Sequence, residues 1–114
     1  MKIHKEFLQT MLHRRSIPIT PLRLRVLQCL FNYTGYFTIE QVTEELNKGV
    51  KVDYAHVANI LTQFNRSGLI TQVEDEEVNM RQPGRKIKKY IWLHQYLRRI
   101  DQRTSYVPNQ ADLH

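Results

Sequence analysis

Four stretches of helical periodicity, a switch to alternating extended patterning after Gly68, and a last short helical stretch predict a mainly α fold with a small β hairpin. The 114 residues fit one domain, expected over residues 1–104, with 105–114 as a loose tail that lacks periodicity. An apolar share of 41% is enough for a small core, which excludes wholesale disorder.

The first helix is expected over residues 3–15. Ile3, Phe7 and Met11 fall four apart, with Leu8 and Leu12 beside them, so they form one apolar stripe. Ser16-Ile17-Pro18 breaks the pattern, because proline disfavours helix at the residue before it. The second helix starts at Thr20, a capping residue, with Pro21 at the first helical position, where a missing N–H costs nothing. Leu24, Leu27 and Phe31 form one row and Val26, Leu30 and Tyr33 another. That wide arc predicts a central helix ending near Gly35, with Cys29 as a small buried hydrophobe.

Thr38-Ile39-Glu40-Gln41 is a capping box opening a third helix, whose inner face is Ile39, Val42 and Leu46 and whose end is Gly49. After the connector Val50-Lys51-Val52, Asp53 offers a cap for a fourth helix over 54–67, stopped by Gly68. Its inner row is Val57, Ile60, Leu61 and Phe64. His56, Asn59, Gln63 and Arg66 follow one another at spacings of three, four and three, so they share the opposite side.

Residues 69–74 read as a strand and 87–93 as its partner. Between them lie the acidic run Glu74-Asp75-Glu76-Glu77 and a Pro83-Gly84 turn. The stretch 81–89 carries Arg81, Arg85, Lys86, Lys88 and Lys89 and no acidic residue. Leu93, Leu97 and Ile100 then suggest a last helix over 93–104.

Three helices followed by a two-stranded ribbon is the order of a winged helix-turn-helix, here with extra N- and C-terminal helices. The 17 Lys and Arg against 11 Asp and Glu give a charge of +6, which favours a polyanionic partner. A helix that reads duplex DNA needs an apolar face to anchor it and a polar face for base edges, and the fourth helix has both. Asn59 and Gln63 each carry the donor and acceptor that grip adenine, while His56 and Arg66 reach bases or phosphates. The basic wing 81–89 would follow the backbone or enter a minor groove. The acidic run opposes this, unless it points away, pairs with the wing's lysines or contacts a protein.

These residues also resemble a known family. Thr20-Pro21-Leu22-Arg23-Leu24-Arg25-Val26-Leu27, then Val52 to Phe64 and Gly68-Leu69-Ile70, are similar to the DNA-binding half of the ferric uptake regulator family. That family has a Thr-x-x-Arg entry into its central helix and a reading helix that runs Ala-Thr-Val-Tyr-Arg, then Leu and Phe, to a closing Gly. Ala55, Val57, Leu61, Gln63, Phe64 and Gly68 match, whereas His56, Ala58 and Asn59 depart. The Tyr and Arg that relatives aim at DNA fall at Ala58 and Asn59, so the resemblance implies DNA binding with a different target sequence. It covers about residues 18–73, and its Thr-x-x-Arg entry falls at Thr20 and Arg23, which with Tyr54 are expected to bind DNA beside the residues above. The family's metal-binding dimerisation domain, with its His-rich and Cys-x-x-Cys elements, has no counterpart in these residues. The histidines at 4, 13, 56, 94 and 114 show no paired ligand spacing, and neither a metal nor another cofactor is expected.

Other classes fare worse. No Gly-rich phosphate loop, nucleophile elbow or metal-ligand pair appears, so an enzyme is not expected. With Cys29 alone there is no intrachain disulfide. The longest apolar run, Val26 to Phe31 broken by Gln28, is far short of a bilayer span, and no signal-like stretch follows Met1. The expectation is therefore a cytoplasmic, nucleoid-associated regulator that binds double-stranded DNA, as a homodimer if the helices at 3–15 and 93–104 pair. The alternatives are a protein–protein adaptor using the hairpin and its acidic loop, and an architectural or replication factor that binds DNA by shape.

Overall fold

Seven elements follow one another along the chain: α1 (Lys5–Arg14), α2 (Pro21–Leu30), α3 (Ile39–Asn47), α4 (Tyr54–Arg66), β1 (Ile70–Asp75), β2 (Ile87–Trp92) and α5 (Leu93–Ser105). They come from a computed structural model that describes residues 3–75 and 87–105. The fold is the winged helix-turn-helix that the element order predicts, with a helix added at each end.

The helix ends show why the chain breaks where it does. Thr20 caps α2, its hydroxyl accepting the Arg23 N–H at 3.2 Å, with Pro21 at the first position. The α3 capping box is complete: Gln41 N–H donates to Thr38 Oγ1 at 3.1 Å, and Thr38 N–H donates to Gln41 Oε1 at 2.8 Å. Asp53 occupies the cap position of α4, but its side chain makes no capping hydrogen bond, which corrects the role expected for it.

Two helices close with the same device. After α1, Ile17 N–H bonds the Leu12 carbonyl and Ser16 N–H the His13 carbonyl, with Ser16 at φ 57°. After α4, Leu69 N–H bonds the Phe64 carbonyl and Gly68 N–H the Asn65 carbonyl, with Gly68 at φ 82°. Both are Schellman turns, and each swings a buried residue, Ile17 or Leu69, back onto the core. Arginines reach the C-terminal carbonyls of two helices. Arg15 donates to the Ser67 carbonyl at the end of α4 at 3.2 Å, and Arg25 to the Leu46 carbonyl of α3 at 3.3 Å.

The core is continuous from Leu8 and Leu12 of α1 through Val26, Leu27 and Leu30 of α2 to Phe64 of α4 and Tyr90 and Trp92 of β2. Helix α2 is central as expected, but it stops at Leu30, short of Gly35. Phe31 and Tyr33 keep their apolar contacts from the turn that follows. The Phe31 ring meets Trp92 at 4.9 Å, and Tyr33 stacks on Phe37 at 5.2 Å. The indole N–H of Trp92 donates to the Leu30 carbonyl at 3.2 Å, which ties the end of α2 to β2.

Strands β1 and β2 pair antiparallel, with Ile70 opposite Trp92 and Glu74 opposite Lys88. Phe37 adds a bridge on the far side of β2, at Tyr90. The expected Pro83-Gly84 turn, Glu76, Glu77 and the tail from residue 106 lie outside the described residues, as does part of the wing. No helix among the described residues is long and apolar enough to cross a membrane.

Candidate nucleic-acid interface

Helix α4 is held by its inner row. Val57, Leu61 and Phe64 have no exposed surface, and Ile60 is buried beside them. By the 3.6-residue period, this anchoring leaves the opposite side outward. His56, Asn59 and Arg66 are exposed there, and Gln63 is half-buried. Tyr54, in the first turn, is 49% exposed. The set expected on one side of this helix therefore does share it.

Two of the other expected residues come from the start of α2. Thr20 is half-buried at the cap, and Arg23 lies one turn in. Arg23 crosses to α4, where its Nε–H donates to Gln63 Oε1 at 2.8 Å. Its Nη1 also reaches Thr20 Oγ1 at 3.4 Å. Arg23, Asn59, Gln63 and Arg66 thus line one shallow groove between α2 and α4, together with Ile60 and Thr62. The pattern of residues did not reveal this link, because Arg23 and Gln63 are 40 positions apart.

The wing is described in part. Lys88 is exposed and Lys89 half-buried on β2, where Lys89 pairs in register with Val73. The Glu74–Lys88 register sets the start of the acidic run across from a wing lysine. Arg81, Arg85 and Lys86 lie outside the described residues. Tyr90, next along β2, is buried, and burial pushes its phenol pKa up, helped by the nearby Tyr54 and opposed by a hydrogen bond from Thr62. That bond joins the strand to α4 behind the exposed side.

Among the described residues no three His, Cys, Asp or Glu side chains gather into a metal-binding group. Cys29 is a buried thiol on α2. Burial raises its pKa, and the hydroxyl of Tyr33, which hydrogen-bonds to it, partly offsets that rise. These features describe a packed interior.

A second surface lies between the terminal helices. Phe7, Met11, Phe31, Trp92, Leu93 and Leu97 line an apolar groove of about 400 Å³. Phe7 is 53% and Leu97 52% exposed on its rim.

Comparison with known proteins agrees with this architecture. The ferric uptake regulator from Pseudomonas aeruginosa, solved with manganese, superposes with a TM-score of 0.62 at 22% identity, over 75% of this chain and 59% of that one. The Helicobacter pylori ferric uptake regulator Fur, described as having three functional metal-binding sites, gives 0.58 at 14% identity, over 82% and 61%. The chain therefore spans about three fifths of the length of these solved relatives. No match is found among curated protein sequences. The sequence profile of the ferric uptake regulator family matches residues 14–89, the stretch from the end of α1 through α4 and into β2. With its winged helix matched over about two thirds of its residues, the chain belongs to the ferric uptake regulator family.

Proposed function

We propose that this protein is a transcriptional regulator that binds duplex DNA through α4. In this reading α4 lies in the major groove, Asn59 and His56 meet base edges, Arg66 and Arg23 contact phosphates, and the basic wing 81–89 follows the backbone. One observation carries it: a helix anchored by four buried apolar residues leaves His56, Asn59 and Arg66 exposed on its outer side, beside a cationic side chain from the neighbouring helix. Such a face suits a ligand that offers both base edges and phosphates. The excess of basic residues fits the same partner.

Two copies would bind together, with reading helices about one turn of DNA apart, ~34 Å. The exposed Phe7 and Leu97 on the rim of the α1–α5 groove support that groove as the pairing surface, since large apolar side chains in water gain from mutual burial. Selection of bound duplexes from a random pool tests the reading. A recovered motif with two-fold symmetry is the expected result. No binding to any duplex at low salt rejects it.

A further inference from the structure

The tie between Arg23 and Gln63 is left unexplained if Gln63 reads a base. A bidentate grip on adenine uses both ends of the amide. An arginine can only donate, so the oxygen end of Gln63 must be the one facing Arg23 Nε, 2.8 Å away across the α2–α4 groove. Thr20 holds the same guanidinium from its other side, through Nη1 at 3.4 Å, and also caps the helix that carries it. The cation is thus gripped by two neutral oxygens from two elements. Among the described residues no carboxylate pairs with Arg23. A guanidinium has five N–H groups, and this arrangement leaves the remaining ones to an outside acceptor.

We infer that Gln63 is a positioning residue: it fixes the Arg23 guanidinium to receive a backbone phosphate and does not itself select a base. The inference rests on the proposed DNA binding and refines it. Holding an arginine in one conformer before binding removes much of the side-chain entropy otherwise lost on contact. Phosphate contacts set register and strength without reading sequence. Choice of base on this side of α4 then falls to Asn59 and His56.

The test uses the full chain and a duplex selected from a random pool. In the DNA-free protein, the Arg23 Nε–Hε resonance should be resolved and slow to exchange, and Gln63→Met, which keeps the shape and removes the acceptor, should abolish that protection. A thermal melt checks that Gln63→Met remains folded. In titrations, Arg23→Ala should weaken binding by ~10-fold and reduce the slope of log K against log salt by about 0.9. Gln63→Met should weaken all duplexes alike, leave the selected motif unchanged and cause no further loss in the Arg23→Ala background. A changed preference at one base position, a full second loss in that background, or an Arg23 resonance indifferent to Gln63→Met each overturns the inference. If these occur while Asn59→Ala still relaxes the motif, DNA binding by α4 stands without the positioning role. If the wild type binds no duplex, the role falls together with the reading it rests on.

Discussion

Phe37 and Tyr90 exchange two main-chain hydrogen bonds, of 2.9 and 2.8 Å, so that one residue between α2 and α3 becomes a third rung of the wing sheet. The Phe37 ring is fully buried and packs between Tyr33 and Tyr90. Phe37→Ala should therefore cost about 3–5 kcal/mol, the usual range for deleting a buried aromatic ring. Phe7, 53% exposed in the single chain, should cost the monomer under about 1 kcal/mol on the same change. Urea denaturation of both variants checks the contrast.

The two Schellman turns should respond with opposite signs. Gly68 adopts φ 82°, and a Cβ there would meet nothing closer than 3.6 Å, so Gly68→Ala carries a conformational penalty of about 1–2 kcal/mol and little steric one. Ser16 pays that penalty already, at φ 57°. Ser16→Gly should stabilise the protein by roughly 0.5–1 kcal/mol, after allowing for the greater freedom of glycine in the unfolded chain. Thermal melts read both.

Asn59 is the exposed amide on α4. Asn59→Ala should cost about 1–3 kcal/mol on the preferred duplex and relax choice at one base pair. Binding to unrelated duplexes should be almost unchanged. Titration against matched and mismatched duplexes measures the difference.

Stability should fall in alkali, for a stated reason. Burial raises the Cys29 thiol, and burial with the neighbouring Cys29 raises the Tyr33 phenol strongly. Groups raised in the folded state contribute fully below their unfolded values, about 8.5 for Cys and about 10 for Tyr, and that contribution is lost as pH climbs. Above those values the unfolded chain releases protons that the folded one retains. Stability, read by denaturation, should thus be nearly independent of these groups from about pH 6 to 8 and turn downward above about pH 9. Cys29→Ala should remove the earlier part of the decline.

Leu97→Glu should leave a folded monomer. Its side chain is 52% exposed, so the fold loses little, but a carboxylate in the α1–α5 groove opposes pairing of two copies. Sedimentation of wild type and variant decides this.

Local chemistry was legible in the chain itself. Thr20-Pro21, the Thr38–Gln41 box and Gly68 act within a few residues of themselves, and all three end or begin helices as their chemistry requires. The apolar rows of α2 and α4 likewise marked the core. Contacts across long separations were not legible. The Phe37 rung is one residue long and has no alternation to betray it. The bond from Arg23 to Gln63 joins residues 40 positions apart on two helices, so no local pattern announces it. The apolar pattern ran past Leu30 because Phe31 and Tyr33 stay against Trp92 and Phe37 after the helix has ended. Asp53 occupied the right position and still made no cap bond, since position alone does not fix a side-chain rotamer.

The bond from the Trp92 indole to the Leu30 carbonyl spans 62 positions, and Tyr90, Ile91 and Trp92 are all buried. During synthesis the four leading helices must therefore wait for these last core residues to leave the ribosome before their shared interior can close. Until then α2 and α4 offer greasy faces to water, and a chain stalled after Asp75 would be a substrate for chaperones and proteases.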